Sequence, residues 1–308
     1  MQELVSVIIP VFNRAHCIEE TLRCVQAQTY AHWECILVDD GSTDDSMDVV
    51  SAFAKADPRI RLLRRPDSLP KGANSCRNFG FENSKGTYIN WLDSDDLMSP
   101  NKLEEQLKRL SEASEQNLVS TCKWNKFVNE TTGILPRDQH INRDFHHGIA
   151  LLQAFDARSP FFPCHSYLVS RRIIASSGLW DVSLRINQDG EFFTRVLIHA
   201  EKVVHPKEGM VYYRVPQKGS VSQLDSKEKA EAAIQSWESI SAHLEKITPN
   251  VTYAYIENAK DYLYTKIQDP SIVKSHTSFF ATQLKKSQQG VNLLRKMKRK
   301  LQQLFSVN

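Results

Sequence analysis

Val5-Ser6-Val7-Ile8-Ile9-Pro10-Val11 is a short β-rich apolar run near the start of a 308-residue chain. A strand covered on both faces has this unbroken apolar character, whereas a strand with one wet face alternates. The run predicts a buried parallel strand, and parallel strands must be joined by crossover segments. The flanking sequence supplies them. Residues 18–28 carry a helical pattern, 34–38 a strand, 60–63 a strand, 71–83 a helix and 88–92 a strand. Ser42 or Thr43 is placed to cap a helix before the third strand, with Asp44 and Asp45 in its first turn. Pro100 opens a helix that runs to about residue 110. The alternation predicts an α/β fold, a Rossmann-like, mostly parallel sheet flanked by helices.

Past residue 118 the pattern loosens. Residues 118–124, 166–170 and 209–215 have strand character and 187–200 a helical pattern, whereas 227–244, 253–267, 272–284 and 291–305 are helical without strands between them. This places an α/β domain over 1–222, with halves of about 1–115 and 116–222, and a C-terminal helical extension over 223–308.

The composition is 41% hydrophobic and 24% charged, enough apolar content for a sizeable core. A net charge of +3 is too small to point to nucleic acid. The six cysteines include no Cys-x-x-Cys pair and no zinc spacing, so reduced, partly buried thiols are expected. The strand pattern begins by Val5 without a secretory leader, and no run is long and apolar enough to span a bilayer. The expectation is a cytoplasmic protein, soluble or attached to the inner membrane face.

In an open parallel sheet, ligands bind beyond the carboxyl ends of the strands. Asp39-Asp40 and the cluster Asp93, Asp95 and Asp96 both fall where a strand has just ended, so they share one edge. Three carboxylates within four positions repel one another unless a cation lies between them. Oxygen ligands suit Mg²⁺ or Mn²⁺. Taken alone, the cluster serves equally as a solvated acidic turn. Asp39 and Asp40 could bond a nucleotide base or ribose, or cap the following helix. Arg77 could pair with a diphosphate or form a surface ion pair, and Arg65 and Lys71 have weaker claims of the same kind. Asp189 stands at a predicted helix start, where it is either a cap favoured by the helix dipole or a general base. Glu191 competes for the second role, and the lone histidines His165 and His205 are expected to be structural.

Four motifs, in order, resemble those of the inverting glycosyltransferases of family 2: Ser6-Val7-Ile8-Ile9-Pro10-Val11-Phe12-Asn13, Val38-Asp39-Asp40-Gly41-Ser42-Thr43-Asp44, Arg77-Asn78-Phe79-Gly80 and Trp91-Leu92-Asp93-Ser94-Asp95-Asp96. Gly178-Leu179-Trp180-Asp181 with Gln188-Asp189, then Tyr213-Arg214 and Gly219-Ser220-Val221-Ser222, resemble the later motifs of that family. The resemblance covers about residues 4–222 and implies the glycosyltransferase A fold, with a nucleotide-sugar half and an acceptor half. It implies that Asp40 contacts the base, that Asp39, Pro10 and Asn13 line the nucleotide site, and that Arg77 sits near the diphosphate. Asp95 and Asp96 would hold a divalent metal (Mn²⁺ or Mg²⁺), Asp93 would support the sugar or ribose, and Asp189 would be the catalytic base. The implied partners are a nucleoside-diphosphate sugar, UDP-sugar favoured, and a carbohydrate or lipid-linked acceptor. Gln188 stands where the family often has Glu. The Gln-x-x-Arg-Trp motif and membrane spans of processive synthases are absent, so transfer of a single sugar, of the non-processive bacterial type, is expected.

Strand one leads into Pro10-Val11-Phe12-Asn13-Arg14, with none of the glycines that an oxidoreductase or a nucleotidyltransferase would place there. A non-catalytic sugar-nucleotide-binding scaffold is the remaining alternative, and intact Asp95, Asp96 and Asp189 argue against it. In the tail, Leu294, Met297, Leu301, Leu304 and Phe305 recur at helical spacing among cations. Such a helix docks on anionic lipid, or packs on its own domain or on a second subunit.

Overall fold

The computed structural model describes residues 2–158, 161–215 and 224–289. The first strand, β1 (Val5–Val11), is buried at every position. α1 (Ile18–Gln26), β2 (Trp33–Asp39), α2 (Ser46–Ala56), β3 (Ile60–Arg64), α3 (Ala73–Glu82) and β4 (Tyr88–Trp91) follow. The four strands pair in parallel in the order β3-β2-β1-β4. The order reverses between β1 and β4, the place where such sheets open a crevice. The β1–β4 ladder stops at Ile8 opposite Trp91, while β1–β2 continues to Val11 opposite Asp39. Pro10, with no N–H to offer, sits just past the end of the shorter ladder.

The chain continues through β5 (Leu97–Met98), α4 (Lys102–Ser111), β6 (Leu118–Ser120), β7 (Lys123–Phe127), α5 (Gly148–Ala154), β8 (Leu168–Ser170), α6 (Arg171–Ser177), α7 (Gln188–Ile198), β9 (Lys202–Val204) and β10 (Met210–Arg214). β8, β6 and β9 extend the main sheet beyond β4, with β8 antiparallel to both its neighbours. β5, β10 and β7 form a second, three-stranded sheet. The mixed α/β architecture with a mostly parallel sheet is the glycosyltransferase A arrangement that the motifs imply.

Three expectations need correction. Residues 118–124 are not one strand: β6 and β7 belong to different sheets. The chain turns at Thr121, whose N–H donates to Val204 and whose hydroxyl meets His205 Nδ1 at 2.9 Å. α2 starts at Ser46 and is not capped by Ser42 or Thr43. Those two residues tie neighbouring loops together instead: the Ser42 hydroxyl accepts from Asn13 N, and Thr43 N donates to Asn13 Oδ1. The helix expected over 272–284 is broken: α10 (Pro270–Ser275) ends early, and helix resumes over 281–289. The pattern at 291–305 lies outside the described residues.

α8 (Lys227–Ile247) and α9 (Ala254–Lys266) pack on the α/β domain. Ile240, Leu244, Tyr253, Tyr255 and Ile256 belong to the same buried cluster as β1 and β4. Glu191 on α7, 2% exposed, pins this seam, accepting from Arg195 at 2.7 and 2.8 Å and lying 3.1 Å from His243 Nε2 on α8. All six cysteines are free. Among the described residues, no helix is long and apolar enough to cross a membrane.

Candidate active site

The carboxyl ends of β1, β2 and β4 border a cleft of about 400 Å³. Its lining brings together Pro10, Asp40, Arg77, Asp93, Asp95, Asp96 and Asp189. Asp39 and Asn13 are not among its lining residues. The Asp39 carboxylate accepts from the N–H groups of Gly41 and Ser42, each at 3.0 Å. This shapes the loop after β2, in which Gly41 has φ +86°. Asp40 is buried and bonded by Arg65 Nε at 2.5 Å. Lys71 stays outside the lining, with its ammonium 4.2 Å from the centre of the Phe12 ring at the cleft wall.

The acidic turn after β4 is held from behind. The Thr21 hydroxyl on α1 donates to the carbonyls of Ser94 and Asp96, both at 3.1 Å. Arg214 closes it from the other side: its backbone N–H donates to Asp96 Oδ1 and its Nε to the Asp95 carbonyl, both at 2.7 Å. Arg77, 4% exposed, reaches Asp93 Oδ1 at 2.7 Å and Asn74 Oδ1 at 3.0 Å, with its guanidinium 4.3 Å from the Trp180 ring. That combination of fork bonding and stacking is open to arginine and not to lysine.

The three carboxylates differ in state. Burial pushes Asp93 up, but the Arg77 guanidinium beside it outweighs that and holds it below the ordinary value. Asp95, its side chain about one-third exposed at 36%, is raised by burial and then by the charge of Asp93. Asp96, 2% exposed, is raised well above its ordinary value by burial, then by Asp93 and Asp95. Its Oδ2 lies 3.2 Å from Nδ1 of the fully buried His165, whose own pKa burial pulls down to about 3. Neither atom has another partner. One proton on Asp96, donated to a neutral imidazole, satisfies both.

Among the described residues, no three His, Cys, Asp or Glu side chains converge on a ready-made cage. A cation bound through one or two carboxylates, keeping waters and taking phosphate oxygens, needs no cage. Asp95, open to the cleft, fits that mode, and repulsion from Asp93 favours it, while Asp96 stands behind with Oδ1 on the Arg214 N–H and Oδ2 against His165.

Asp189 occupies the far wall on the first turn of α7. Asn187 before it is left-handed at φ +52°, and a Cβ on Gly190 would lie 2.3 Å from the Asn187 side-chain oxygen. A larger residue at 190 would push the Asn187 amide aside at the entry to the helix that carries Asp189. Burial and the charge of Asp93 raise its pKa, against Arg77. Asp189 also borders a second cavity, of about 720 Å³, and Asp93, Ile186, Asn187, Asp189 and Tyr213 line both. Glu191 lines neither, being held by Arg195 and His243. Arg14, Arg185 and Tyr213 also line the cleft. Arg14 could have been noticed directly after the first motif, and Tyr213 within the last. Nothing in the pattern around Arg185 marked it.

A model of "Glycosyl transferase family 2" matches residues 6–175. The chain is 31% identical over 219 residues to an uncharacterized glycosyltransferase, EpsJ, of Bacillus subtilis, covering 70% of this chain and 62% of that one. It is 41% identical over 111 residues to the putative teichuronic acid biosynthesis glycosyltransferase TuaG of the same organism, covering 36% of this chain and 43% of TuaG. The chain thus spans less than two thirds of the length of these relatives. Among solved structures, S. aureus TarS 1-349 in complex with UDP-GlcNAc aligns with TM-score 0.62 at 13% identity, over 86% of this chain and 72% of that one. The mannosyltransferase PcManGT of Pyrobaculum calidifontis, in complex with GDP-Man and Mn2+, aligns with TM-score 0.56 at 18% identity, over 92% and 75%. At these identities the structures speak for the fold alone. The family match covers more than half of the chain, and with the motif order and the cleft it leads to one assignment: the chain belongs to glycosyl transferase family 2.

Proposed function

We propose that the chain transfers a single sugar, with inversion, from a nucleoside-diphosphate sugar to a hydroxyl acceptor in polysaccharide or glycoconjugate synthesis. UDP-sugars are the favoured donors. The observation that carries this reading is the single cleft in which Asp40, Arg77, Asp95 and Asp189 meet. Asp40 and Pro10 border the place for the base, while Asp39 and Asn13 shape the loops around it. Arg77, with Arg14 and Arg185 nearby, faces the diphosphate. Asp93, held by Arg77, supports the sugar or ribose. Asp95, backed by Asp96, would hold Mn²⁺ or Mg²⁺, which when bound neutralises charge on the departing diphosphate.

Asp189 takes the proton of the acceptor hydroxyl as its oxygen attacks the anomeric carbon. The bond from that carbon to the diphosphate breaks on the opposite face, so one displacement inverts the configuration. A raised pKa makes Asp189 a stronger base than an ordinary carboxylate. Two measurements test the reading. In a thermal-shift screen of nucleoside diphosphates with and without Mn²⁺, one nucleotide should raise the melting temperature in a metal-dependent way, as RT ln(1 + [L]/Kd). Asp189→Asn should then lower turnover by roughly 10²–10⁴-fold while leaving that shift in place. Wild-type turnover in the variant would remove Asp189 from the mechanism.

A further inference from the structure

The second cavity is too large to be a packing fault. Protein interiors carry few voids larger than a water molecule, whereas about 720 Å³ lies in the ~300–1,000 Å³ range of ligand sites. Away from the wall it shares with the acidic cleft, it is lined by Phe155, Phe162, Tyr167, Phe193, Trp237 and Leu263. Helices α8 and α9 form one side, and Phe161 and Tyr262, 41% and 54% exposed, also line it. Its neutral polar groups include Thr194, Tyr255 and Asn258. No lysine or arginine is among the described residues that line it, and its two acids, Asp93 and Asp189, stand at the shared wall.

Two geometric requirements then decide the occupant. The cations that suit a diphosphate, Arg14, Arg77, Arg185 and Arg214, all border the acidic cleft. A base must also come within ~2.6–3.2 Å of the hydroxyl it deprotonates, so the acceptor has to approach Asp189 from the other side. An anionic acceptor would meet two carboxylates there and no cation among the described residues. A bare sugar would find only a few neutral partners for its hydroxyls, among them Asn187, Thr194, Tyr255 and Asn258, and would leave most of the apolar wall uncovered. We propose that this chamber is the acceptor subsite, and that the acceptor is a neutral hydroxyl compound whose aryl or alkyl group seats between α7 and helices α8 and α9. The inference rests on the glycosyl-transfer reading above.

The test uses the full chain and a neutral fluorescent probe, N-phenyl-1-naphthylamine, displaced by n-alkyl β-glucosides from methyl to octyl. Apparent Kd should fall about fourfold per methylene until the chamber is full, from ~0.8 kcal/mol per buried CH₂. Ala259→Trp, which fills the chamber from α9, should weaken octyl glucoside at least tenfold. Asn258→Trp should do the same from an exposed position where no core is disturbed. Both variants should keep the wild-type melting shift with UDP or GDP and Mn²⁺, and nucleotide and octyl glucoside should bind together. A flat chain-length series, unchanged binding in both variants, or displacement of octyl glucoside by the nucleotide would each overturn the proposal. If no nucleoside diphosphate shifts the melting temperature while the alkyl series behaves as expected, the transferase reading falls instead, and the acceptor assignment with it.

Discussion

Asp189 and Glu191 stand two positions apart on α7, yet only Asp189 faces the cavities. Glu191 is enclosed by Arg195 and His243. Helical position alone could not separate the two, because it does not say which acid has a partner, whereas the resemblance at Gln188-Asp189 pointed to Asp189. The same holds for the histidines. Burial, and then Lys123, pulls the pKa of His205 down to about 4 from 6.5. Below pH 6.5 the unfolded chain binds a proton that the native site refuses, so stability is full above 6.5 and is lost as pH falls toward 4. The loss should reach about 2–3 kcal/mol. Thermal midpoints across that window should fall more steeply for wild type than for His205→Asn, in which the amide can still meet the Thr121 hydroxyl. Parallel curves would show that His205 does not carry the acid sensitivity. Asp39, Asp40, Asp93, Asp95 and Asp96 were legible as a set because strand ends announce themselves. The side chains that hold Asp40, Asp93 and Asp96, namely Arg65, Arg77, Arg214 and His165, stand 16 to 118 positions away in sequence.

α3 shows how an element delivers a residue to the site. Gly80 lies against β1, and a Cβ there would stand 2.5 Å from Ile8 Cγ2 and 3.3 Å from Val38 Cγ2. One turn earlier, the same helix presents Arg77 to Asp93. Gly80→Ala gains up to about 1 kcal/mol of helix propensity, whereas overpacking a full core costs about 1–3 kcal/mol. The clash should win, because Ile8 is branched and fully buried. The expected result is a net loss of about 1–2 kcal/mol in urea unfolding, with a smaller melting shift from the nucleotide as Arg77 is displaced. A rise in the urea midpoint would show that α3 can lift away without strain. The parallel half of the sheet was readable because each strand is an apolar run closed by a turn. β6, β8 and β9 are three residues long, too short to carry a period. The helix after Asp39-Asp40 was misplaced because Ser42 and Thr43 bond to Asn13, a partner 29 and 30 positions away that no local capping rule contains.

Across the whole molecule, the helical extension expected after residue 222 completes the core of the α/β domain. Ile240, Leu244, Tyr253, Tyr255 and Ile256 are buried in the cluster that includes β1 and β4. At about 1.5–3 kcal/mol for each fully buried large side chain, five such residues represent roughly 8–15 kcal/mol as an upper estimate. The entropy cost of ordering these helices offsets part of that gain, but the domain core loses its apolar cover without them. A chain ending at residue 223 would also leave Glu191 without His243 and open one side of the apolar chamber. It should therefore lack a cooperative melting transition and bind no nucleoside diphosphate. A chain ending at residue 289 keeps α8, α9 and α10 and should retain a cooperative transition and the nucleotide shift. Circular dichroism melts of the two truncations, with and without nucleotide and Mn²⁺, separate the cases. A cooperative transition and an intact nucleotide shift in the shorter chain would make the extension dispensable, and the acceptor side would then have to be built without it.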